Sequence, residues 1–147
     1  MVAYLLAEPE GEAVRALLES AEADAESARI YAHSVNLAEV YYHVLRDNET
    51  LIPDERQALA EESIAVLREA GVRERADMDA DFWRDVARII HAARALPTPG
   101  GARGNLALGD AFGIALSNRL GADFVTKDRT EIEPVANAGL VSALFIR

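Results

Sequence analysis

Apolar residues recur three and four positions apart along most of this chain, and short continuous apolar runs interrupt that rhythm. The first pattern is the signature of amphipathic helices, the second of short strands. The spacing predicts helices over 2–7 and 12–23, the latter with Ala13, Ala16, Leu17 and Ser20 on one side. Asn36 can cap a third helix whose stripe is Leu37, Val40, Tyr41, Val44 and Leu45. Pro53, followed by Asp54 and Glu55, opens a fourth, and Gly71 ends it. Asp79 caps a fifth with Phe82, Val86, Ile89, Ile90 and Ala93 on its apolar face. A further helix lies within 105–120, with Gly121 just past its end, and a short one within 133–137 stops at Gly139. The strand candidates are 29–33, 72–76, 122–128 and 140–146, the third read as buried. Residues 97–104, rich in Pro and Gly, form a loop.

Strands separated by helices imply crossover connections and a mainly parallel sheet covered on both faces, an α/β class. Ligands in such folds bind beyond the carboxyl ends of the strands. Three carboxylates fall near that edge. Glu39 follows the 29–33 strand, Asp110 lies near the start of the helix leading into the 122–128 strand, and Asp128 ends that strand. The topology therefore predicts that the three converge on one edge.

Composition narrows the possibilities. A length of 147 residues suits one domain, 1–147, with a real core. There is no cysteine, which excludes disulfides and thiolate metal sites. The start of the chain lacks a basic leader, and no apolar run approaches the ~20 residues of a membrane span. A cytoplasmic protein is expected. Lys and Arg number 15 against 25 Asp and Glu, a formal charge of −10, which permits a nucleic-acid substrate without supporting one. Part of that acidity is a run from Glu8 to Glu26 that reads as a solvated helix face.

Each carboxylate also has an ordinary explanation. Asn36 and Glu39 are spaced as a capping box, with the Glu reaching back to the cap N–H. Asp110 suits a first helical turn through the helix dipole. Asp128 suits a turn after a strand. Against these stands their joint placement: hard divalent cations take oxygen ligands, and metal-assisted phosphodiester hydrolysis needs clustered carboxylates. Thr126 shares a face with Asp128 and can donate a hydrogen bond to whatever Asp128 holds. His33, His43 and His91 show no ligand spacing, and Gly100, Gly101 and Gly104 lack the lysine of a phosphate loop. Trp83 and the Tyr41, Tyr42 pair fit core and interface packing better than base stacking.

The motifs NLAEVYY from Asn36, LGDAF from Leu108, FVTKD ending at Asp128 and EIEPVA from Glu131 occur in an order that resembles the PIN domains, and more narrowly the VapC-type toxins of toxin–antitoxin pairs. The resemblance covers nearly the whole chain. It implies a three-layer fold with a mainly parallel central sheet flanked by helices, and a Mg²⁺- or Mn²⁺-dependent ribonuclease acting on RNA. It also implies a cognate antitoxin partner and a homodimer. By position, Glu39, Asp110 and Asp128 match the metal-site acids and Thr126 a polar helper. The family's first strand and its terminal Asp have no counterpart, because the chain starts within what resembles the first helix. Either the natural product begins upstream, or this form is real and is inactive or weakly active. In the second case it would be an antitoxin-binding module without catalysis, with reduced stability or compensating self-association.

Overall fold

The computed structural model describes residues 11–23, 29–97 and 104–146. The predicted helix at 2–7 and the loop residues 98–103 lie outside them. The chain divides into two compact units at Arg75.

In the first unit, α1 (Gly11–Ala23) is followed by β1 (Tyr31–His33), α2 (Ser34–Asp47), α3 (Pro53–Glu69) and β2 (Arg73–Arg75). On α1 the buried seam is Val14 and Leu18, one turn apart, rather than the predicted Ala13, Ala16, Leu17 and Ser20. The larger aliphatic side chains remove more apolar area from water than Ala or Ser can, so they take the interior. On α2 the predicted stripe holds: Leu37, Val40 and Val44 are buried, with Tyr41 and Leu45 half-buried. These face α3, which buries Ala60, Ile64 and Leu67. Pro53 stands at the first position of α3, where a missing N–H costs nothing. Strands β1 and β2 run parallel, with Ala32 opposite Glu74.

The second unit contains α4 (Ala80–Ala93), α5 (Leu108–Leu120), β3 (Phe124–Thr126), α6 (Arg129–Asn137) and β4 (Ala143–Phe145). Asp79 caps α4 as predicted, accepting hydrogen bonds from the Asp81 and Phe82 N–H groups at 3.2 and 3.0 Å. The apolar face of α4 buries Phe82, Val86, Ile89 and Ala93 against α5. The Phe82 and Phe112 rings meet at 5.9 Å with a 58° tilt, an arrangement favoured by ring quadrupoles. Arg119, near the end of α5, ties the two helices together. Its guanidinium grips both oxygens of Asp79 at 2.6 and 2.9 Å, reaches Asp77 at 2.9 Å, and lies 4.9 Å over the Phe82 ring. The Arg119 guanidinium, helped by the cap N–H of Phe82, holds the Asp79 carboxyl well below the usual carboxylate range.

Because that carboxyl is depressed in the folded state, its stabilisation is present above the unfolded value of about 4 and is lost as pH falls towards the folded one. Arg119→Ala should therefore lower Tm at neutral pH, and the gap from the parent chain should narrow below about pH 4. Thermal melts across that range check this. A gap that widens on acidification would refute it.

Pairing within both units is parallel, as predicted, and among the described residues β1 pairs with β2 and β3 with β4, each pair a two-stranded sheet. Each strand is three residues long, and the ladders are correspondingly short. The predicted burial of the 122–128 strand is also corrected. Val125 and its register partner Leu144 are 38% and 43% exposed, while Phe124 and Thr126 are half-buried on the opposite face. With one face wet, the strand alternates instead of reading as a continuous apolar run. Nor are Trp83 and Tyr42 core residues: they are 49% and 59% exposed. Gly71, Gly121 and Gly139 end α3, α5 and α6 at positive φ, each where the sequence placed a stop.

Gly104 has a different role. A Cβ there would come within 2.2 Å of the Ala93 carbonyl oxygen, so the chain passes against the end of α4 only because the side chain is missing. Gly104→Ala forces backbone to move and should cost about 1–3 kcal/mol. Urea denaturation measures it, and a cost near zero would show that the contact is loose.

Candidate functional site

The two predicted acids of the second unit both stand at helix starts. Ala107 is the N-cap of α5, so Asp110 is the third residue of its first turn, half-buried and facing the positive end of the helix dipole. Asp128 is the N-cap of α6, two residues beyond β3. Its Oδ1 accepts the Glu131 N–H at 3.1 Å, which satisfies one of the orphan donors of that helix. Its Oδ2 has no hydrogen-bond partner among the described residues and is open to solvent. The turn reading of Asp128 is thus correct for one oxygen and leaves the other available.

Thr126 takes a part that differs from the predicted one. Its Oγ1 accepts the backbone N–H of Asp128 at 3.0 Å. The hydroxyl therefore sets the turn that aims Asp128, and acts on the acid through its main chain. Thr126→Val removes that acceptor while keeping the branched shape. It should reduce any metal-dependent activity about 10- to 100-fold, as loss of supporting contacts around a site commonly does, with little change in Tm. Unchanged activity would show that the turn holds without it.

Glu39 belongs to the first unit. The predicted capping box is not formed, because α2 starts earlier than Asn36. His33 is the N-cap, its Nδ1 accepting the Val35 N–H at 3.2 Å, so Asn36 is the third helical residue and Glu39 lies in the second turn. Histidine is not among the commonly preferred caps, which is why the sequence pointed to Asn36. Glu39 is exposed and makes no hydrogen bond or ion pair among the described residues. With its capping role gone, Glu39 has no structural task within its own helix.

A polar group around the start of α2 was not legible beforehand. Ser34 Oγ lies 2.9 Å from Glu74 Oε1 and 3.1 Å from the Arg75 carbonyl oxygen, and Arg68 donates to Glu74 Oε2 at 2.8 Å. Arg68, then Ser34, hold the Glu74 carboxyl below its usual range. The group fastens β2 to the ends of α2 and α3, residues 40 and 6 positions away in sequence. Such pairings depend on strand register, which no local signal in the sequence discloses.

Among the described residues, no group of three or more His, Cys, Asp or Glu side chains stands close enough together to hold a metal ion. Those the structure brings into contact are Thr126 and Asp128. The donor set itself suits a hard cation, being all carboxylate oxygen with one Asp128 oxygen uncommitted. A shallow hollow of about 10 Å³ lined by Leu96, Asn105, Glu131 and Pro134 lies in the same unit, room for about one water and far below the ~300–1,000 Å³ of small-molecule pockets.

An α/β chain with parallel strands, one of which leads through a two-residue turn to an acidic helix cap, falls in the class whose chemistry sits at strand ends. The family model for the PIN domain matches residues 1–136, a span that runs through both units, and the chain belongs to that family. PIN domains are generally nucleases that use divalent metals, which supports a nuclease function here. No curated protein and no solved structure matches the chain. Among the described residues, no helix is long and apolar enough to cross a membrane.

Proposed function

We propose that this chain is a metal-dependent endoribonuclease of the VapC type, the toxin of a toxin–antitoxin pair, folded as one PIN-like domain over 1–147. The observation that carries the reading is the family match over residues 1–136, taken with acids at the motif positions Glu39, Asp110 and Asp128. Each acid is assigned to the ligation of Mg²⁺ or Mn²⁺. A bound ion of that kind activates water and offsets charge building on phosphate oxygens. Asp128 offers its uncommitted Oδ2, and Thr126 fixes the turn that presents it. Asp110 presents its carboxylate from a first helical turn and Glu39 from an exposed one. A cytoplasmic location, a cognate antitoxin that covers the acids and a homodimer belong to the same reading.

Incubation of a 5′-labelled RNA with the purified chain over a Mg²⁺ titration tests it. Cleavage should rise with the ion and cease with chelator. Absence of cleavage at every concentration of Mg²⁺ or Mn²⁺ would favour a module that binds an antitoxin without catalysis.

A further inference from the structure

Trp83 is half-exposed on α4, and what surrounds it on that helix is cationic. At about 100° per residue, the buried face of α4 centres on Phe82, Val86, Ile89 and Ala93. Trp83, Arg94, Ala87, His91 and Arg84 then follow one another around the outer face within an arc of about 100° that contains no acid. The acids of the helix, Asp81 and Asp85, fall on the other flank, where Asp85 pairs with Arg88 at 2.9 Å. The Arg84 guanidinium lies 5.1 Å over the Trp83 ring, half-exposed, and its contact to Asp81 is a long 3.5 Å. Arg94 is exposed and makes no ion pair among the described residues. In a chain of formal charge −10, a stripe of arginine, histidine and exposed tryptophan is the local exception.

We propose that this outer face of α4, from Trp83 past Ala87 and His91 to Arg94 with Arg84 alongside, is a track for single-stranded RNA. The inference rests on the ribonuclease reading above and adds to it where the strand lies on the second unit. An exposed aromatic ring beside arginines is the equipment single-stranded nucleic acid requires: a face for a base to stack on and cations for the phosphates. A second copy of the chain is a poorer occupant, since a twofold contact centred on this stripe would set Arg84 of each copy towards Arg94 of the other, cation against cation. The direction of the stripe is also informative. Arg119 at the end of α5 binds Asp77 and Asp79 at the start of α4, so the two helices run antiparallel. Phe82, near the start of α4, packs on Phe112, two residues past Asp110, so the candidate metal acid lies beside the body of α4, along which the track runs roughly 16 Å.

Trp83 is the sole tryptophan, so its fluorescence reports the track directly. The test titrates a short fluorescein-labelled oligouridylate into the Asp110→Asn chain, which is expected to bind without cleaving. Tryptophan emission should be quenched along the same curve as the rise in RNA anisotropy. Arg84→Gln with Arg94→Gln should weaken binding about tenfold or more and lower the salt slope by about 1.4. Trp83→Leu should weaken it by about tenfold. The proposal is overturned if RNA does not bind, or if it binds with unchanged emission and unchanged affinity in these variants. It is equally overturned if emission changes with protein concentration alone and sedimentation shows a dimer that the substitutions dissociate. Quenching by RNA in a parent chain that never cleaves with Mg²⁺ would remove the nuclease reading and leave the track. Cleavage and binding unaffected by the substitutions would remove the track alone.

Discussion

Asp110→Asn should abolish RNA cleavage, lowering the rate by at least about a hundredfold at saturating Mg²⁺. Changes to groups that merely support a metal ligand already cost 10- to 100-fold, so removing the charge of the ligand proposed here should cost no less. The substitution keeps the size and shape of the side chain. Asp110 is in the first turn of α5, so the neutral amide forfeits some favourable interaction with the helix dipole, about 0.3–1 kcal/mol. That is small beside the 5–15 kcal/mol by which domains are usually stable. The folded state should survive, with an unchanged far-UV spectrum and a slightly lower Tm. Activity and stability thus separate: a variant that is folded and still cleaves at the parent rate would show that Asp110 serves only its helix.

Phe82→Ala should be the most damaging single change to the second unit, at about 3–5 kcal/mol. Phe82 is 1% exposed, packs on Phe112, and carries Arg119 over its ring. Truncation removes the ring's own transfer energy, leaves a cavity between α4 and α5, and takes away the surface on which the Arg119 guanidinium rests. Urea denaturation should show the midpoint falling with little change in slope. A loss below about 1 kcal/mol would mean that the helices collapse together and that the ring is not their central contact.

How far the sequence disclosed this molecule depended on whether the relevant signal was local. Asp79, Pro53, Gly71, Gly121 and Gly139 act within one helical turn, and each stands where its chemistry put it. The amphipathic face of α4 was legible for the same reason. Asn36 misled because a histidine two residues before α2's second position supplied an acceptor that propensities rarely credit. The seam of α1 was misplaced because small residues satisfied the helical period as well as Val14 and Leu18 did. Long-range ties were invisible: Ser34 to Glu74 and Arg119 to Asp79 span about 40 positions and arise only once strands and helices are in place. At the candidate site, residue type and order marked Glu39, Asp110, Asp128 and Thr126. The division of labour between the two oxygens of Asp128, and the direction of the Thr126 hydrogen bond, needed coordinates.

The most direct measurement of the central claim is Mn²⁺ binding, followed by electron paramagnetic resonance, in the parent chain and in Glu39→Gln, Asp110→Asn and Asp128→Asn. Ligation by these acids predicts a site in the parent chain that each substitution weakens at least about tenfold, without loss of folded structure. Equal Mn²⁺ affinity in all four chains would contradict it.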